Sequence, residues 1–131
     1  MKTNLDEFKT NPLFEKEGVQ CDMGNGRVFT IRRVTASNPR MKAAMARFYK
    51  PYARLIEMDA LPPEKLQEIN VQLFLEVCLA GWSGILDGEG KEIPYSREVA
   101  AEILKSAPDL FDTLWKFANN FENYRDDVGN S

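Results

Sequence analysis

Histidine is absent from the chain. Without an imidazole there is no Ser-His-Asp or Cys-His catalysis and no zinc site of the kind that needs one. Cysteine is scarce: Cys21 and Cys78 are the only two. They are too few for a tetrathiolate site or a disulfide framework, and they read as reduced thiols of a cytosolic protein. Long apolar runs are missing as well. The longest near-apolar stretch, Val71 to Trp82, is interrupted by Gln72 and Glu76. It falls well short of the roughly 20 apolar residues of a membrane span. The opening residues MKTNLDEFKTNPLFEKEG mix acids with lysines and hold no run of signal-peptide length. The expectation is a soluble protein of the cell interior, with no membrane partner.

What is there fits one domain. The 131 residues are 44% hydrophobic and 28% charged, an ordinary globular composition at a single-domain length. A net charge of −3 makes the chain as a whole a poor ligand for polyanions.

Residues 1–17 read as an N-terminal arm, mostly polar, with Leu5, Phe8, Leu13 and Phe14 irregularly spaced and Pro12 breaking any helix. Such an arm either lies on its own domain or docks on a neighbouring subunit. Residues 18–34 predict a β-hairpin. Val19, Cys21 and Met23 alternate with polar residues, Gly24-Asn25-Gly26 turns the chain, and the alternation resumes from Val28. Gly24 and Gly26 do not make a phosphate loop, because a third glycine and a following helix are missing.

Ser37 or Asn38, with Pro39 behind it, opens a helix. Apolar residues at 41, 44, 45, 48, 52, 55 and 56 keep helical spacing, and Pro51 predicts a kink near Phe48. A second helix runs from Leu61 to about Ala80 and is apolar on two sides, as in the central helix of a bundle. Gly81-Trp82-Ser83-Gly84 stops it. Residues 85–95 form a tight loop or miniature hairpin, Ser96 caps a short helix, and Ser106 with Asp109 resembles a capping box before the last helix. Residues 126–131 make a polar tail. The predicted fold is mainly α with a small N-terminal β-hairpin: a compact bundle of four to five helices in one domain, residues 18–125.

Charge is polarised along the chain. Between Asp22 and Glu57 there is no acid but there are eight bases, whereas residues 57–131 hold fifteen acids and six bases. Arg40, Arg47 and Arg54 lie seven apart and would project from one side of a continuous helix, opposite the Met41/Ala44/Phe48/Leu55 stripe. Three readings follow. The basic face pairs with acids of the later helices; it stacks on the acidic end of a second copy, giving a ring or an open filament; or residues 27–54 bind nucleic acid against the repulsion of an acidic remainder.

The densest polar cluster is Asp87, Glu89 and Glu92 beside Tyr95. Two carboxylates can act as an acid–base pair, but acids in a solvated turn are the commoner arrangement. The spacing is not that of a calcium loop, and no nucleophile–base pair, metal set or cofactor loop accompanies it. The expectation is that the protein is not an enzyme and holds no cofactor. The last helix carries Phe111, Trp115, Phe117, Phe121 and Tyr124 over more than half a turn. With only Lys116 and Arg125 beside them they are poor stacking partners for single-stranded nucleic acid. Some must face the core, and the surplus points to a protein partner.

The segment from Leu79 through Gly81-Trp82-Ser83-Gly84, the loop Asp87-Gly-Glu-Gly-Lys-Glu, Ile93-Pro-Tyr-Ser, then Pro108-Asp-Leu and Phe117-Ala-Asn-Asn-Phe-Glu-Asn resembles the tail assembly chaperones of long-tailed bacteriophages. In that family a helix ends in Gly-Trp-x-Gly, an acidic glycine-rich loop follows, and Ile-Pro-Tyr-Ser opens the next helix. The likeness is carried by residues 74–124; over the hairpin and first helix only the order of elements matches.

The resemblance implies a non-enzymatic assembly factor of the host bacterial cytoplasm, absent from the mature virion. It would self-associate head to tail as a spiral or ring and coat the aggregation-prone tape measure protein while the tail is built. The family commonly makes a longer product by ribosomal frameshifting, whose extension is thought to engage the major tail tube protein. On this reading Trp82, Trp115, Phe117, Phe121 and Tyr124 are the candidate partner-binding residues, and Arg40, Arg47 and Arg54 the candidates for self-association. Trp82 has a second reading as a plug beneath its loop, packed by Ile85, Ile93 and Tyr95. The alternative function is a small nucleic-acid-binding regulator using residues 27–54. If stacking is electrostatic, Arg47→Glu with Arg54→Glu shifts sedimentation toward monomer and added salt does the same to the unaltered chain; a profile indifferent to both contradicts it.

Overall fold

The computed structural model describes residues 1–33, 35 and 38–125; the tail expected at 126–131 lies outside them. The fold is mainly helical with a small sheet, and that sheet has one strand more than the hairpin predicts. Strands β1 (Val19–Asp22) and β2 (Val28–Ile31) pair antiparallel around the Gly24-Asn25-Gly26 turn. All three turn residues have positive φ, and Asp22 Oδ1 accepts the Gly24 N–H at 2.8 Å. On the other side of β2 lies β3 (Leu79–Ser83), also antiparallel.

β3 is built from the Leu-Ala-Gly-Trp-Ser stretch, which the helical pattern had assigned partly to the preceding helix and partly to a stop. The helix ends at Val77 instead, and the chain turns extended. The reason lies in burial. Cys21, Phe29 and Trp82 are cross-strand partners in one row, and Val19, Ile31 and Leu79 in the next. Phe29, Ile31, Cys21 and Leu79 are buried, so one face of the sheet closes on the helices. A continued helix would leave β2 with an open edge and uncover that face.

Helix α1 (Pro12–Glu17) corrects one expectation for the arm. Pro12 does not break a helix; it occupies the first turn, where its missing N–H costs nothing, and Asn11 Oδ1 caps Leu13 N–H at 2.9 Å. The segment is held to its own domain. Glu15 pairs with Arg33 at 2.6 Å, the Asn11 N–H donates to the Tyr124 carbonyl at 2.8 Å, and Phe8 packs on Phe121 with ring centroids 5.7 Å apart.

Asn38 caps α2 (Pro39–Tyr49), and the chain then passes through a 3-10 turn, Lys50–Tyr52, into α3 (Ala53–Glu57). The break falls where Pro51 places it. α3 ends in a Schellman motif: Asp59 takes φ 52°, its N–H donates to Ile56 O at 3.1 Å, and Ala60 N–H donates to Leu55 O at 2.8 Å. α4 (Pro63–Val77) is the central helix, with Ile69, Val71, Leu73, Phe74, Leu75 and Val77 buried. Against it pack α2 and α5 (Arg97–Ser106), the latter capped by Ser96. Phe111 of α6 (Pro108–Asn119) meets Phe74 edge to face at 5.6 Å. The expected Ser106–Asp109 capping box does not form. α5 extends through Ser106, whose hydroxyl donates to Ile103 O, and Ala107 precedes α6 with no side-chain cap.

A 3-10 turn, Phe121–Tyr124, closes the described chain, and Tyr124 Oη donates to Ile31 O of β2 at 3.1 Å. Gly84 explains why the Gly-Trp-x-Gly motif must end in glycine. Its φ is +74°, and a Cβ there would stand 1.9 Å from the Gly26 carbonyl oxygen, so β3 and the hairpin turn meet backbone to backbone. Gly84→Ala is therefore expected to destabilise by roughly 2 kcal/mol or more. Gly81→Ala, where an added Cβ meets nothing within 4 Å, should stay within about 0.5 kcal/mol of the parent. Urea melts compare the two, and equal midpoints would contradict the close approach.

Candidate functional site: an apolar groove over the central helix

The outward side of α4 carries Glu64, Gln67 and Glu68 at helical spacing, with the buried Val71 and Ile69 beneath them. Above it runs a groove of about 880 Å³. Phe48 and Tyr52 form one bank, Ala101, Glu102 and Lys105 of α5 the other, Ile69 and Val71 part of the floor, and Pro63 and Pro108 complete the lining. Its size suits a helical ligand or a side-chain cluster. Phe48 and Tyr52 stand there because the Pro51 break turns the chain after α2, placing the two rings four residues apart beside α4. Tyr52 is held by Lys65, whose ammonium lies 5.2 Å from the ring centroid.

Three helices that line the groove meet at Glu76. Its Oε1 pairs with Arg47 of α2 at 2.8 Å, and its Oε2 with Arg97 of α5. Arg97 also donates to Gln72 Oε1 at 3.1 Å, and the Arg47 guanidinium lies 4.7 Å from the Phe48 ring centroid. Arg47 first, then Arg97, hold the Glu76 carboxyl below its ordinary value of 4.5, against the opposing effect of burial. Tyr49 donates to Asn70, a second tie between α2 and α4.

The predicted site residues are not brought together. Tyr124 is corrected outright: it is fully buried and has no surface to give a partner. Burial pushes its phenol pKa up, and its ring serves to fasten the chain's end to β2. Trp82 takes its second reading, as a plug. Its Nε1–H donates to Ile93 O at 2.8 Å, and its ring meets Tyr95 edge to face at 5.0 Å and Phe29 at 6.0 Å. Trp115 packs between Phe74 and Phe111, Phe117 against Tyr124, and Phe121 against Phe8; all three are half-buried. The aromatic surplus at the chain's end is thus spent largely on its own domain: Trp115 on the core rings, Phe117 on the 3-10 turn, and Phe121 of that turn on the arm.

Exposed apolar side chains sit elsewhere. Met45, Leu55, Ile56, Met58 and Leu66 lie on α2, around the α3 elbow and on α4, Leu5, Phe8 and Leu13 on the arm, and Leu86 at the loop. The signal for part of this set is in the sequence: positions 55 and 56 belong to the helical stripe but lie beyond the Pro51 break, whereas Met41 and Ala44 before it reach the core.

Nor do the three arginines form one face opposite the core stripe. Arg40 and Arg47 each adjoin a core-facing residue, Met41 and Phe48, and one residue along a helix turns about 100°, not 180°. All three are exposed, and Arg47 reaches across to Glu76 from the surface. Arg54 lies beyond the break. Within the basic segment 27–54, Arg27 donates to the hairpin carbonyls of Gly24 and Met23, Arg32 to Lys16 O and Arg33 to Glu15.

The acidic loop has a structural job. Leu86 bridges to Glu92, Asp87 Oδ1 accepts from Glu89 N–H and Lys91 N–H at 2.8 and 3.0 Å, and Glu92 Oε1 accepts from Gly84 N–H at 2.9 Å. These carboxylates brace a miniature hairpin. Cys21 and Cys78 are buried and unpaired, and burial lifts the Cys78 thiol to about 12, far from the thiolate range.

Residues 36–130 match a protein family described as YdaY prophage protein. The match begins after the β1–β2 hairpin and takes in every element that lines the groove. No curated protein and no solved structure matches the chain.

Because the Glu76 carboxyl is held low in the folded state, it contributes stability at neutral pH that is lost as pH falls through and below 4.5. Glu76→Gln should cost about 1 kcal/mol at pH 7. The gap to the parent should close as pH falls into the acid range; a gap that persists at acid pH contradicts the ion-pair account.

Proposed function

We propose that this chain, which belongs to the YdaY prophage protein family, is a phage tail assembly chaperone that binds the tape measure protein in the groove over α4. The observation that carries the reading is that groove of about 880 Å³, which runs beside α4 from Pro63 to Gln72 and takes its accessible apolar lining from Phe48, Tyr52, Pro63 and Pro108. An amphipathic helix docks by laying its apolar face into such a surface. The tape measure protein is the client named by the sequence resemblance over residues 74–124, and a prophage origin is the setting in which such a client occurs.

The role is non-enzymatic. It is exercised in the host bacterial cytoplasm while the tail is built, and the chaperone then leaves, so it is absent from the finished particle. Release requires modest single contacts, with the total coming from many copies along one client. Self-association therefore belongs to the proposal, as a head-to-tail spiral or ring. Its charge-reversal test is cleaner at Arg40 and Arg54 than at Arg47, whose loss would also uncouple α2 from α4. A longer frameshifted product reaching the tail tube protein is the further element that the resemblance implies.

Ala101 lines the groove from α5, so Ala101→Trp fills it. Co-expression with the tape measure protein of the same prophage is expected to keep that client soluble. Ala101→Trp, with an unchanged circular dichroism spectrum, should return most of the client to the pellet. A client that is insoluble with the parent chaperone, or equally soluble with both, would overturn the groove as the working site.

A further inference from the structure

The charges around the groove are unevenly satisfied, and this deepens the proposal just made, on which it rests. Five charged residues line the groove: Glu64, Lys65, Glu68, Glu102 and Lys105. Both bases are engaged by the same acid. Glu68 Oε2 lies 3.4 Å from the Lys65 ammonium and Glu68 Oε1 lies 3.8 Å from that of Lys105. Lys65 is further fixed over Tyr52, which with Glu68 raises its pKa. Glu64 on α4 and Glu102 on α5 are exposed, and among the described residues no ion pair neutralises either. The surrounding chain adds to the imbalance: residues 57–131, which supply both α4 and α5, carry fifteen acids against six bases.

We infer that the groove selects a helix whose apolar stripe is flanked by lysine or arginine, with Glu64 and Glu102 as the residues that read those flanks. A cation placed over either carboxylate meets a charge that lacks a partner. An acid there meets one more acid, since both lysines are already held by Glu68. Phe48, Tyr52, Pro63 and Pro108 supply apolar contact area without regard to sequence, and the two carboxylates supply the choice between clients, as expected for charges at the rim of an interface. Arg40 and Lys42, exposed on α2 of a second copy, have the same sign as this client, so a second copy is the competing occupant.

The probes are two labelled synthetic helices of about 18 residues, some 27 Å long, with one leucine stripe and either lysine or glutamate flanks. Binding is read by fluorescence anisotropy to the full chain. The lysine-flanked helix is expected to bind about tenfold tighter at low salt, equivalent to about 1.4 kcal/mol, and the ratio should shrink at high salt. Glu64→Lys with Glu102→Lys should invert the preference. If that pair fails to fold, Glu64→Gln with Glu102→Gln should abolish it.

Equal affinity of the parent chain for both helices would overturn charge selection while leaving the groove reading intact. Failure of both helices to bind, or binding unaffected by Ala101→Trp, would overturn the groove reading itself and the selection with it. A shift of the Ala101→Trp chain from oligomer to monomer in sedimentation would show that a second copy fills the groove, and would also overturn the proposal.

Discussion

Everything in this fold is arranged around the burial of α4. A helix of 15 residues with six of them buried needs cover on more than one side, and a chain of 131 residues has few elements with which to give it. The sheet continues directly from its C-terminal end, α6 brings Phe111 and Trp115 against Phe74, and α2 and α5 flank it. Among the described residues the groove lies over α4 between α2 and α5. Its edges are positioned by the Glu76 pairs with Arg47 and Arg97 and by the proline break that turns Phe48 and Tyr52 toward it.

Much of this arrangement was legible in the sequence, and the exceptions share a cause. The hairpin, the Pro51 break, the caps at Asn38 and Ser96 and the central position of α4 follow from local pattern. β3 did not, because Leu79 to Ser83 has the apolar density of a buried helix end, and its partner in the sheet lies some fifty residues away. Pro12 was misread because proline both ends helices and begins them; Asn11 in front of it decided the matter. The aromatics at the chain's end read as surface in the local pattern, but Phe117 is covered by Tyr124 of the following turn and Phe121 by Phe8 of the arm. Tertiary contact between the two ends of the chain leaves little trace in local periodicity.

The motif that carries the resemblance to tail assembly chaperones has a physical explanation independent of any client. Trp82 plugs the loop that follows it, Gly84 lets β3 meet the hairpin turn, Glu92 holds the Gly84 N–H, and Ser96 caps α5. These residues build the scaffold that carries α5 to the groove; they do not form the groove. The family match over residues 36–130 establishes a prophage protein. The step from there to tail assembly rests on the groove over α4 and on the likeness of the loop.

The most direct measurement is an amide NMR titration of the labelled chain with a helical segment of the proposed client, a tape measure protein. The account predicts shifts concentrated at Phe48, Tyr52, Ala101 and Lys105 and along the outward stripe of α4, with the sheet quiet. Shifts centred instead on Trp115, Phe117 and Phe121, or none at saturating client, would contradict it.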